Sequence, residues 1–198
     1  MAYIYQATLW CDDCGQAICQ RLDEAGEGPE DKSDETSFDS DDYPKGPFSD
    51  DDDESDSPSH CDSGAECPNA VELDDGSKVG AIVSGLTEDG IAYVRGAKDS
   101  PCVREWREHY ELEPFTVHLD NLEGRDGCVM ATVSGPGALK WAKDDQTIAG
   151  ERWESADGDD FAYAMPVDHP GLVADLEKEG YTLNLDNYTP PVADPEDS

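Results

Sequence analysis

Positive charge is what this chain most lacks. Only 13 Lys and Arg stand against 48 Asp and Glu in 198 residues, a formal net charge of −35 and a pI near 4.1. A surface of that sign repels nucleic-acid phosphates and anionic lipid, so no direct nucleic-acid or membrane contact is expected, and basic proteins or cations are the expected partners. Long apolar runs are missing too. None approaches the roughly 20 residues that cross a bilayer, and Met1-Ala2-Tyr3-Ile4-Tyr5 is not a basic stretch followed by an apolar one. The expected location is the cytoplasm, where thiols stay reduced. Catalytic signatures are also absent: the sequence holds no His-Glu-x-x-His, no Gly-x-Ser-x-Gly and no phosphate-binding loop. Ser134-Gly135-Pro136-Gly137 is glycine-rich, but Pro136 removes an amide that a phosphate cradle would use, so a turn is expected. Asp159-Asp160 and the run 50 to 53 lack calcium-loop spacing. His109, His118 and His169 stand apart. The reading is therefore non-enzymatic.

Cysteine, by contrast, is present in a pattern. Cys11-Asp12-Asp13-Cys14-Gly15 opens, and His60-Cys61 with Cys67 closes, the most acidic part of the chain. Two thiolates two residues apart can bind one Zn²⁺, and Gly15 is expected to turn the backbone so that amides face the sulfurs. Cys61-x5-Cys67 is wider than the usual two to four residue spacer. The expected ligand set is Cys11, Cys14, Cys61 and Cys67, with His60 in place of Cys61 as the variant. Four protein ligands leave no open position, so the Zn²⁺ is structural. A redox Cys-x-x-Cys wants a thioredoxin-like βαβ pattern, which the neighbouring residues do not offer. Seven cysteines, an odd number, argue against a framework of disulfides. Cys19 reads as a buried free thiol rather than a fifth ligand.

Between the clusters, residues 29 to 57 carry 13 acids and 2 Lys. That composition by itself favours disorder. Against it stands Tyr43-Pro44-Lys45-Gly46-Pro47-Phe48, where two prolines and a glycine predict a defined turn between two aromatic anchors, and where a metal would restrain both ends.

Periodicity supplies the remaining elements. Residues 3 to 10 alternate as a strand leading to Cys11, and Ala17, Ile18, Leu22 and Ala25 predict a short helix stopped at Gly26. Asp75-Gly76 predicts a hairpin between Val71-Leu73 and Val79-Val83. Thr87 and Ser100-Pro101 each open a helix, the second with a solvated charged face at Arg104, Glu105, Arg107 and Glu108. Phe115 to Val133 and Trp153 to Met165 read as two β pairs turning at 123 to 127 and 157 to 159. Asp168 is expected to cap a helix ending at Gly180, and Tyr181 to Leu185 form a last strand. The fold class is α+β: a zinc-knuckle module at 1-112 with short helices, a hairpin and an acidic loop at about 29-59, then a compact α+β domain with a small antiparallel sheet at 113-188, and a loose tail at 189-198.

The first hundred or so residues resemble a group of small, acidic bacteriophage and prophage proteins. The residues that carry the resemblance are Cys11-Asp12-Asp13-Cys14-Gly15, Asp39 to Phe48, Ser57-Pro58-Ser59-His60-Cys61 and Leu86-Thr87-Glu88-Asp89-Gly90. By looser analogy, a small acidic metal-clasped phage protein is similar to the anti-defence class that includes anti-CRISPR inhibitors, which implies action in the host cytoplasm. The physical counterpart is DNA mimicry. A duplex presents one charge per about 1.7 Å, and carboxylates on an extended segment rising about 3.3 Å per residue offer a comparable density to a basic cleft.

The functional expectation is an acidic, zinc-stabilised inhibitor of a basic nucleic-acid-handling protein, with a Cas9-type CRISPR nuclease as the expected target, blocking its access to DNA. Asp39, Asp41, Asp42, Asp50, Asp51, Asp52, Asp53 and Glu54 are the expected partner-binding residues. Two other classes remain: an acidic protein adapted to concentrated salt without a specific partner, and an enzyme with an unrecognised site in the C-terminal domain.

Overall fold

The computed structural model describes residues 1–49, 54–122, 127–143, 147–148, 150–155 and 161–191. The fold is mixed α+β, and its contacts divide it into two compact units, Met1–Gly90 and Ile91–Ser198. The division therefore falls after Gly90, where the sequence reading placed it after Leu112.

In the first unit the alternating run 3 to 10 is not one strand. It folds as a hairpin of β1 (Ala2–Tyr5) and β2 (Thr8–Cys11), with Tyr3 opposite Trp10 and Tyr5 opposite Thr8. The two-residue turn is Gln6-Ala7, both at positive φ (52° and 60°). That is the conformation of a tight hairpin turn, usually taken by Asn-Gly. Tyr5 holds the turn, its carbonyl accepting from Thr8 Oγ1 at 3.0 Å and Trp10 Nε1 at 3.2 Å.

Helix α1 (Asp12–Ala25) follows β2 directly. Asp12 and Asp13 sit in its first turn, where carboxylates favour the helix dipole, and Gly26 ends it at φ 78°. It buries Cys14, Gly15, Ile18 and Leu22. Gly15 thus lies inside the helix rather than in a turn; a Cβ there would overlap the Tyr3 ring, so glycine is required for the close approach of α1 to β1.

The acidic segment then packs Phe38 edge-on against Tyr43, ring centroids 5.6 Å apart, and Tyr43 joins Tyr5, Ile18 and Leu22 in one core cluster. The expected turn between the aromatics is instead the edge strand β3 (Lys45–Phe48), antiparallel to β1. Short pairs complete the unit: β4 (Glu54–Ser55), β5 (Val71–Glu72), β6 (Lys78–Val79) and β7 (Gly85–Leu86), with β4 parallel to β7 and β5 antiparallel to β6. The β5–β6 hairpin turns through Asp75-Gly76 as expected, with Gly76 at φ 81°.

Helix α2 (Glu88–Gly96) spans the division; Thr87 Oγ1 accepts from Gly90 N at its start. In the second unit α3 (Pro101–His109) is capped by Ser100, whose side chain accepts from Val103 N. Arg107 does not lie on a solvated face. It donates to the carbonyls of Val94, Arg95 and Ala97, closing the C-terminal end of α2.

The main sheet uses β8 (Thr116–Asn121), β9 (Val129–Ser134), β12 (Glu154–Ser155), β13 (Phe161–Ala164) and β14 (Thr182–Asn187), in the order β12-β13-β9-β8-β14. A small ladder of β10 (Thr147–Ile148) and β11 (Glu151–Arg152) stands beside it in sequence. Strands pair antiparallel except β14, which runs parallel to β8 after the crossover helix α5 (Leu172–Glu179). Val117, Leu119, Val129, Ala131, Val133, Ala162 and Ala164 point to one side, where Ala138, Trp141 and Ala142 of α4 (Ala138–Lys143) and Leu172 and Leu176 of α5 close the core.

Gly171, not Asp168, stands at the N-cap of α5; Asp168 accepts from the Tyr188 hydroxyl at 2.8 Å. The start of the expected tail is tied down by a pair of bonds between Asn121 and Thr189. The turn residues 123 to 126 and 157 to 159, and the tail from 192, lie outside the described residues.

Candidate metal centre and the acidic loop

Strand β2 ends at Cys11, and α1 begins one residue later, so Cys11 is the N-cap and Cys14 lies one turn in. The other two thiols come from the segment after the acidic loop. Cys61 is fixed by its amide to Ala81 O (2.8 Å), and Asp62 N binds Leu9 O (2.9 Å), which ties this segment to β2. A 3-10 turn over Gly64–Glu66 then carries the chain to Cys67. Gly80 is needed here, since a Cβ would overlap the Cys61 carbonyl.

The four sulfurs of Cys11, Cys14, Cys61 and Cys67 all lie within 4.8 Å of one another, and all four residues are buried. Cys11 and Cys67 Sγ are 3.5 Å apart, Cys14 and Cys67 Sγ 3.9 Å. A disulfide needs about 2.05 Å, and every cysteine is free. A tetrahedron of four sulfurs each about 2.3 Å from a central ion has edges of about 3.8 Å. The spacing fits a metal ion, and the four thiols can hold one. The spacing pattern in the sequence pointed to these four residues, and the fold brings them together.

His60 does not replace Cys61. Its Nδ1 lies 2.6 Å from Gly80 O, and it is absent from the sulfur cluster, whereas Cys61 is 1% exposed within it. Cys19 lies outside the cluster as well, against Tyr43 in a neighbouring core.

Burial pushes the Cys11 and Cys14 thiols up from their ordinary range, because a dry site disfavours thiolate. At Cys67 burial acts in the same direction, but hydrogen bonding from the backbone at Ala81 and Asn69 and from the Cys11 and Cys61 side chains together outweighs it, bringing the thiol down. Two side chains also reach sulfurs, and nothing in their spacing marked them beforehand: Ser63 Oγ donates to Cys14 Sγ at 3.2 Å, and Asn69 Nδ2 lies 3.9 Å from Cys11 Sγ.

The acidic loop is folded wherever it is described. Lys32 pairs with Asp23 of α1, and the Tyr43 hydroxyl donates to the same carboxylate at 3.2 Å. Lys32 and Lys45 lie 5.6 and 5.7 Å from the centroids of Tyr43 and Phe38. Several carboxylates are used locally. Asp31 accepts from Ser33, Asp34 from Thr36, and Asp39 Oδ1 from the amide of Asp41 at 3.0 Å. These bonds, the Ser33 and Thr36 hydroxyls first, hold Asp31 and Asp34 below the ordinary carboxylate range.

Of the expected partner-binding acids, Asp39, Asp41 and Asp42 are exposed on the loop, and Glu54 is exposed on β4. Asp50, Asp51, Asp52 and Asp53 lie outside the described residues. Glu27, Glu30, Asp31 and Asp42 line, with Phe38 and Tyr43, an open cavity of about 460 Å³.

No helix among the described residues is long and apolar enough to cross a membrane. No protein-family model, curated protein or solved structure matches the chain.

Proposed function

We propose that this chain is a zinc-structured acidic module that binds a basic nucleic-acid-handling protein, in its sharpest form a Cas9-type nuclease, and blocks that partner's access to DNA. The observation that carries the reading is the acidic loop folded around Phe38 and Tyr43 between the two halves of a four-thiol cluster. Four soft sulfur donors at tetrahedral spacing suit Zn²⁺, and with no open position the ion serves structure. A pre-folded loop loses less ordering entropy on binding than a disordered one. The cavity beside Phe38 and Tyr43, with acid walls and aromatic surface, complements an Arg or Lys side chain on the partner.

The test has two parts. Elemental analysis of the purified protein is expected to give one zinc per chain. DNA binding by a guide-loaded Cas9-type nuclease is expected to fall at equimolar protein, more at low than at physiological salt, because exposed charges are screened over about 8 Å at 0.15 M. Neutralising Asp41, Asp42 and the acids 50 to 54 as amides is expected to restore it. DNA binding that persists at large excess of the protein rejects the nuclease as target.

One observation favours a second reading, adaptation to concentrated salt. The second unit, which does not include the acidic loop, still carries 23 acids against 9 bases. Structure that collapses in dilute buffer and returns in molar salt would favour that reading, and structure indifferent to salt would remove it.

A further inference from the structure

We propose that Ser63 and Asn69 are outer-shell donors of the metal centre, holding the sulfurs of Cys14 and Cys11 and setting how tightly the ion is kept. The proposal rests on the reading of the four thiols as a metal site. It gives a role to a residue inside the Cys61-x5-Cys67 spacer. The extra residues are not slack: the chain from Cys61 enters the 3-10 turn Gly64–Glu66 with Gly64 N bound to Cys61 O, and the residue just before that turn, Ser63, is brought against Cys14 with Oγ 3.2 Å from Sγ.

Asn69 completes the arrangement from the other side of Cys67. Its side-chain Nδ2 lies 3.9 Å from Cys11 Sγ and 2.8 Å from Asp13 Oδ2. One amide group thus stands between a thiol ligand and a carboxylate. A divalent ion held by four thiolates leaves two net negative charges in a buried site. Among the described residues, the donors that reach these sulfurs are hydroxyl and amide groups, so hydrogen bonds and the α1 N-terminus, rather than Lys or Arg, offset that charge. In a chain with so few cations, neutral donors are the available means.

The experiment uses the full chain with Ser63→Ala, Ser63→Thr, Asn69→Ala and Asn69→Asp. Zinc retention is measured against a chromophoric chelator, and the sulfur-to-metal charge-transfer band is recorded on the Co²⁺-saturated protein. Loss of an outer-shell partner costs about 10 to 100-fold in metal affinity, and that loss is expected for Ser63→Ala and Asn69→Ala. Ser63→Thr, which keeps the hydroxyl, is expected to stay within about twofold. Asn69→Asp sets a carboxylate against both Cys11 and Asp13 and is expected to lose more than Asn69→Ala. In both alanine variants the charge-transfer band is expected at lower energy, because a sulfur relieved of a hydrogen bond gives up electron density more easily.

Folding is checked by circular dichroism on metal-saturated protein. If Ser63→Ala fails to fold, Ser63→Thr and the Asn69 pair still decide the matter. Alanine variants with wild-type zinc retention and an unmoved band overturn the proposal and leave the four-thiol site standing. A wild-type chain that takes up no zinc and shows no charge-transfer band with Co²⁺ overturns the metal reading itself.

Discussion

Tyr43 shows how one side chain joins the loop to the rest of its unit. It is 5% exposed, packs on Phe38, and donates its hydroxyl to Asp23 of α1. Burial first, and then the neighbouring Cys19 thiol, push its phenol up to about 12, against about 10 in an unfolded chain. The folded state therefore holds this proton more tightly than the unfolded state does. Its contribution to stability is complete below pH 10 and is lost as pH rises toward 12. A spectrophotometric titration is expected to show a tyrosine ionising late, near 12, that Tyr43→Phe removes. A titration unchanged by that substitution would contradict the assignment. At this scale the four clustered thiols were legible because thiol pairs have a spacing of their own. Ser63 and Asn69 were not, since a donor to sulfur has no spacing rule and is found only once the fold brings it there.

Among the elements, the signals that worked were local chemistry. Gly26 and Gly180 end α1 and α5 in the left-handed conformation, and Ser100-Pro101 opens α3. The misses have physical causes. Gln6-Ala7 forms a hairpin turn with neither glycine nor asparagine, so alternation read straight through it. The parallel pairing of β14 with β8 joins residues more than 60 apart, a register no local pattern encodes. Two predictions follow the same logic. Left-handed backbone costs an L-residue about 1 to 2 kcal/mol, so Gln6→Asn with Ala7→Gly is expected to raise stability by about 1 kcal/mol in urea unfolding. An unchanged midpoint would mean that the turn is not strained. Arg107 feeds three carbonyls at 2.6 to 3.2 Å from a planar fork that lysine lacks. Arg107→Lys is expected to cost about 2 kcal/mol, read as a lower unfolding midpoint, and a loss under a few tenths would contradict the capping role.

For the whole molecule, the division into two units implies two responses to one reagent. The thiol cluster belongs to the core of the first unit, while the second buries an aromatic and aliphatic core of its own. A strong chelator is expected to release amide protection over residues 61 to 83 and leave β8 and β9 protected, as measured by hydrogen exchange. Loss of protection in both would show that the units fold as one. The separation of the ligands also bears on synthesis. Cys11 and Cys14 leave the ribosome about 50 residues ahead of Cys61, a wait of roughly 3 to 10 seconds at ordinary elongation rates. During that interval the leading pair has only half a coordination sphere, and the nascent acidic loop beside it is the nearest source of further ligands for any divalent ion that arrives early.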